Sequence, residues 1–156
     1  MKQIQLGIGE VVVSKGNITI ACLGLGSCVG LFMQDVVTGV SGGAHIQLPI
    51  AAKQLNTFFS FSVAHEAIAE LIKQFKANGC KLDNLQAKIT GGSMLFNQRN
   101  NIGLDNVAAV MHELNKFNIK LCSADTGGTW ARSAYYDATT GVLKIKNVSS
   151  NHLISI

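Results

Sequence analysis

The chain has 156 residues, 47% of them hydrophobic and 14% charged, a length and composition that fit one domain over residues 1–156 with a proper core and exclude disorder. The formal charge of +4 arises from 13 basic and 9 acidic residues. The basic residues are scattered, with no block interleaved with aromatics, so nucleic-acid binding is not expected and an acidic protein partner is favoured.

In chain order, residues 10–14 and 17–23 read as two β runs joined at Lys15 and Gly16 in hairpin fashion. A third apolar run, "CVGLFMQD", and a fourth strand in "TGVSGGAHIQLP" follow. Connections this short predict antiparallel pairing in the N-terminal third. Over residues 60–78 the period changes: Val63, Ala67, Ile68, Leu71, Ile72 and Phe75 recur at helical spacing, and Gly79 is placed to end the helix. "LQAKIT" reads as a strand leading into the glycine-rich "GGSMLF". A second helix is expected over 103–118, with Val107, Val110, Met111 and Leu114 facing inward. "IKLCSADTGG" and "GVLKIKNV" read as closing strands around the loop "TGGTWARSAYYDATTG". The order predicts one α+β domain: largely antiparallel or mixed, sandwich-like sheets flanked by two to three helices.

No apolar run approaches the ~20 residues of a bilayer span, and "MKQIQLGIGE" lacks a signal-peptide core. A cytoplasmic protein with no membrane insertion is therefore expected, with Cys22, Cys28, Cys80 and Cys122 reduced. None of the four forms a C-x-x-C pair, so no zinc site is expected. Each is by default a small core residue.

The stretch "CLGLGSCVG" stands apart. Its glycines strip bulk from the chain before Cys28 and allow a sharp bend, which gives a thiol access and nearby N–H donors. A phosphate loop is excluded, because no Lys follows and the next element is a strand. A nucleophilic thiol needs a base. His65 and His112 fall on predicted helices and His152 in the polar tail, where solvated surface residues are the ordinary reading. His45, in "GGAHIQLP", follows a double glycine inside an apolar strand, where a charged imidazole is costly without a partner. It is either a satisfied core residue or the partner of Cys28, and the spacing alone does not decide between them.

Taken together, "CLGLGSCVG", "GGAHIQLP", "LQAKITGGSMLF", "NIGLDN", "ADTGGTWARS" and "DATTGVLKIK" resemble the CheD family, the chemoreceptor glutamine deamidases of bacterial chemotaxis, collinearly from residue 7 to 146. The resemblance implies a cysteine-dependent amidohydrolase that needs no metal or organic cofactor. Its substrates would be glutamines in the cytoplasmic helical region of methyl-accepting chemoreceptors, with receptor methyl esters as a side substrate. It implies Cys28 as nucleophile, His45 as general base, and the backbone about Gly26, Ser27 and Cys28 as oxyanion donors. It also implies a CheC-type phosphatase as partner. The alternative is a binding module that keeps the fold and regulates such a phosphatase with little catalysis. Gly91, Gly92, Met94 and Phe96 lie in a motif that shapes a substrate groove or partner surface, or is a turn needing small residues. Arg132 orients a loop or a substrate carbonyl, or is a solvated arginine in a polar loop.

Two positions depart from the family pattern. Cys22 stands where the family has the Thr that orients the histidine, and a thiol is the weaker hydrogen-bonding group. Either the replacement is tolerated, or a backbone carbonyl does the orienting, or Cys22 and Cys28 form an inhibitory disulfide. Val63 and His65 stand where the family has Tyr and Asp, which bears on substrate choice or docking more than on the chemistry.

Overall fold

Strands covered on both faces read as unbroken apolar runs, and "VGLFM" becomes such a strand in a computed structural model that describes residues 1–49, 61–96 and 100–156. The elements are β1 (Lys2–Gln5), β2 (Val11–Ser14), β3 (Ile18–Leu25), β4 (Val29–Asp35), β5 (Ser41–Ile46), α1 (Ala64–Ala77), β6 (Leu85–Gly91), α2 (Ile102–Lys116), β7 (Lys120–Thr126), β8 (Arg132–Asp137), β9 (Val142–Asn147) and β10 (Leu153–Ser155). A single 3-10 turn, Leu82–Asn84, precedes β6. The strands form two five-stranded sheets, in the orders β1-β3-β8-β9-β10 and β2-β5-β4-β6-β7.

The second sheet lies in the middle of three layers. Along β4 the side chains alternate between two cores: Val29, Leu31 and Met33 join Ile68, Leu71 and Phe75 of α1 and Val110 and Leu114 of α2. Phe32 points the other way, into the inter-sheet core of Leu6, Ile20, Cys22, Leu25, Ala134 and Tyr136. Each fully buried Leu or Phe here contributes roughly 1.5–3 kcal/mol relative to exposure. The double glycine of "SGGAH" serves this packing. A Cβ on Gly42 would meet Val12 O at 2.7 Å and Phe75 at 3.1 Å, and one on Gly43 would meet Ile20 at 3.1 Å. β5 is thereby thin enough to sit between a helix and a sheet.

The expected α+β class, with sandwich-like mixed sheets and flanking helices, is the observed one; the described residues contain two α-helices. Helix α1 ends as expected, with Gly79 at φ 78° just past Asn78. It begins later than the expected residue 60, which itself lies outside the described residues: the first helical residue is Ala64, and Val63 is an extended N-cap residue. Helix α2 runs over 102–116 rather than 103–118, and Met111 is 47% exposed rather than inward.

Strand pairing differs more. The runs at 10–14 and 17–23 are not a hairpin: β2 pairs with β5 in one sheet, while β3 pairs with β1 and β8 in the other. The apolar face of β3 (Ile18, Ile20, Cys22) is needed inside the inter-sheet core, so the chain changes layer at Lys15 and Gly16 instead of folding back. Two pairs are parallel, β1 with β3 and β6 with β7. The stretch read as one long loop contains β8, the central strand of its sheet. Its inward positions Ala134 and Tyr136 alternate with half-buried Ser133 and Tyr135, a weak signal over six residues. The C-terminal polar tail contributes β10.

Candidate active site

The bend at residues 26–28 carries the chain from β3 in one sheet to β4 in the other. All three of its carbonyls are held from within the protein. Gly26 O accepts from Ser93 N and Cys28 O from Gly92 N, each at 2.8 Å. Ser27 O accepts from the Nδ2 of Asn106 at 2.8 Å. In a trans peptide the N–H points opposite to the preceding C=O. The N–H groups of Ser27 and Cys28 are therefore turned away from these anchors. Among the described residues no backbone acceptor takes them.

Gly91 makes the clasp on this bend feasible. It has φ 105°, and a Cβ there would run into the carbonyl oxygen of Cys28. Gly92 is closed in by Val107 of α2 in the same way. Both glycines are buried beneath the bend rather than lining a surface.

His45 reaches the site from β5. In the antiparallel ladder Gly30 is its direct partner, and residues directly opposite share a face. That face is the inter-sheet one: a Cβ on Gly30 would meet Leu25 and Phe32, each at 3.1 Å. Cys28, two residues before Gly30, packs against the same inter-sheet cluster. Cys28 and His45 therefore face the same inter-sheet layer near the end of the ladder, and Gly30, the residue opposite the imidazole, has no side chain to come between them.

The imidazole is 5% exposed, and its Nδ1 lies 3.0 Å from Leu6 O. A carbonyl only accepts, so Nδ1 carries the proton and Nε2 of the neutral ring has the free lone pair. Burial pulls the His45 pKa below its ordinary value, against a smaller upward pull from the Leu6 bond and the charge of Glu10. Burial also pushes the Cys28 thiol up to about 11. At neutral pH the two groups rest as a thiol and a neutral imidazole.

Cys22 is fully buried in the inter-sheet core, its thiol pushed strongly upward first by burial and then by the nearby Cys28. Among the described residues no hydrogen bond joins Cys22 to His45; the partner of the ring is Leu6. The cysteines are all free.

Arg132 is 1% exposed, not a solvated loop residue. Its Nε donates to Asp125 Oδ2 at 2.8 Å, its Nη1 donates to Ser93 Oγ, and its guanidinium lies 5.0 Å from the centre of the Trp130 ring. Ser93 Oγ donates in turn to Trp130 O at 2.7 Å. Arg132 therefore braces the segment whose Ser93 N–H holds the bend. Met94 and Phe96, half-buried and 71% exposed respectively, line a cleft of about 150 Å³ with Ser27, Ser93, Leu95 and Ile102. The two glycines and Arg132 do not line this cleft.

Sequence reasoning did not single out Leu6, Ser93 or Asn106. The first acts through its backbone and left no signal. Asn106 did leave one: it is a polar residue on the buried stripe of α2, between Gly103 and Val110.

The family described as CheD chemotactic sensory transduction matches residues 47–147. Relatives of full length extend the likeness over the N-terminal strands that carry Cys28 and His45. The chemoreceptor glutamine deamidase CheD of Thermotoga maritima is 40% identical, with 100% of this chain and 98% of the relative aligned. A probable chemoreceptor glutamine deamidase CheD of Pyrococcus horikoshii is 35% identical over 99% and 98%. One of Clostridium kluyveri is 35% identical over 95% and 94%. Identity at this level along the whole of both chains places the protein in the CheD family.

Proposed function

We propose that this chain is a cysteine-dependent protein-glutamine deamidase that converts glutamine side chains of chemoreceptors to glutamate. The names of its relatives supply the substrate class. The observation that carries the chemistry is that His45, opposite Gly30 in the β4–β5 ladder, and Cys28, just beyond the end of that ladder, face the same inter-sheet layer, with Nδ1 of His45 committed to Leu6. Both sheets contribute to this site, which supports residues 1–156 working as one deamidase domain; a substrate in the cytoplasmic helices of receptors would place that domain in the cytoplasm.

As a glutamine carboxamide reaches Cys28, Nε2 of His45 takes the thiol proton and sulfur attacks the carboxamide carbon. Negative charge then collects on the former carbonyl oxygen. The N–H groups of Ser27 and Cys28, turned outward by the anchored carbonyls of the bend, are placed to stabilise it. Collapse breaks the C–N bond, and the proton on His45 leaves with ammonia. Water attacks the thioester and gives its proton to His45. Release of the carboxylate restores the thiol. Leu95, Phe96 and Ile102, between 38% and 71% exposed and lining the cleft, supply an apolar rim on which a receptor segment can rest.

The test is incubation of the purified chain with a receptor cytoplasmic fragment, followed by ammonia release and mass spectrometry of the glutamine peptides. Each deamidation adds about 1 Da, and Cys28→Ala should lose at least ~10³-fold in rate. A Cys28→Ala protein as active as the wild type would remove the nucleophile assignment. No ammonia from the wild type would leave the binding module beside a CheC-type phosphatase as the better reading.

A further inference from the structure

The backbone ladder between β4 and β5 ends at the pair Val29 and Ile46. Beyond that pair the two arms that carry the nucleophile and the base leave each other. The N–H of Gln47 goes to Ser62 O, and the Ser27 and Cys28 carbonyls go to other elements. One side chain rejoins the arms. Asn106, fully buried on α2, donates from Nδ2 to Ser27 O and to Gln47 O, both at 2.8 Å. These carbonyls belong to the residue before Cys28 and the second residue after His45.

We infer that Asn106 is a positioning residue for the deamidation: its carboxamide closes the open end of the hairpin and holds Cys28 and its N–H in register with His45. The inference rests on the deamidase reading above and adds a residue to it. A carboxamide is suited to the task because one nitrogen offers two donors without charge, and both oxygens it meets can only accept. Asp would put an acceptor against the same two carbonyls, and Leu would fill the space but bridge nothing. The placement has a cost, since the Oδ1 of Asn106 is buried with no hydrogen-bond partner among the described residues. An apolar residue on that helical stripe would avoid it. The same bridge turns the Ser27 carbonyl towards α2, and so turns the Cys28 N–H the other way, towards an incoming carbonyl.

The experiment compares wild type with Asn106→Leu and Asn106→Asp in steady-state deamidation of a receptor fragment. In parallel, the rate of iodoacetamide alkylation at the Cys28 peptide is followed as a function of pH. An oxyanion donor and a thiol aimed by Asn106 act on the transition state, so kcat should fall by about 10²-fold or more. KM should stay within about threefold, and the Cys28 alkylation profile should shift against pH. Asn106→Leu should retain the melting temperature of the wild type within a few degrees while showing these losses. If the larger replacements fail to fold, Asn106→Ser, too short to bridge both carbonyls, carries the same expectation. Folded variants with wild-type kcat and an unmoved alkylation profile would overturn the inference while leaving the deamidase reading intact. A wild type that releases no ammonia would overturn the deamidase reading, and with it this role for Asn106.

Discussion

At the scale of single residues, the carbonyl of Leu6 changes what position 22 has to do. Because Leu6 O holds Nδ1 of His45 at 3.0 Å, the imidazole has its tautomer without help from a side chain. Cys22 is then chiefly a small core residue. We expect Cys22→Ala to keep deamidation within about threefold of wild type while losing roughly 1–2 kcal/mol of stability to the small void it leaves. A loss of 100-fold or more in a protein that still folds would return the orienting role to the Cys22 side chain. The glycines around Cys28 and the apolar strand around His45 singled out both residues as candidates in the sequence, while their pairing came only from the resemblance to a family. Leu6 was not legible there, since a backbone carbonyl is the same whatever residue bears it. Arg132 was half legible: its place near the site could be read, but its burial depends on Asp125 and Ser93, which only the fold brings to it.

At the scale of elements, the bend that carries Cys28 depends on the end of β6 as much as on its own glycines. Gly91 lies against the Cys28 carbonyl at φ 105°, where any side chain adds both backbone strain and a collision. Gly91→Ala should therefore lower stability by about 1–3 kcal/mol and cut kcat more than it raises KM. Denaturant unfolding and steady-state kinetics on the same preparation would check both, and an unchanged kcat would mean that the clasp on the bend does not matter for catalysis. Periodicity revealed most strands and both helices, because alternation and helical spacing are local properties. Pairing was not local. The β2 and β3 runs look like hairpin arms joined at Gly16, yet Ile18, Ile20 and Cys22 belong in the core between the sheets. The reason lies in β8, more than a hundred residues further on.

For the whole molecule, the groups buried in the inter-sheet layer set a pH window for stability. His45 in the folded protein titrates below its ordinary 6.5, so below that pH the unfolded chain binds the extra proton and stability falls as the solution is acidified. Cys22 and Cys28 titrate above their ordinary 9.0. Above that pH the unfolded thiols ionise while the folded ones stay neutral, and stability falls again. Urea midpoints should form a plateau between about pH 6.5 and 9 with losses on both sides; replacing Cys22 with Ala should soften the alkaline loss, and an unaltered alkaline limb would assign it to other groups. The two-sheet arrangement bears also on the life of the chain before it is complete. β3, which leads into the bend at Cys28, takes its partner β8 from residues 132–137, and Arg132 itself braces the segment that clasps the bend. Closing so long a loop is slow compared with making a helix or a local hairpin. The bend that carries Cys28 therefore takes its shape only once residues 132–137, far along the chain from it, have joined β3. The geometry around the Cys28 thiol is in this sense a property of the finished two-sheet fold and not of the short stretch that contains it.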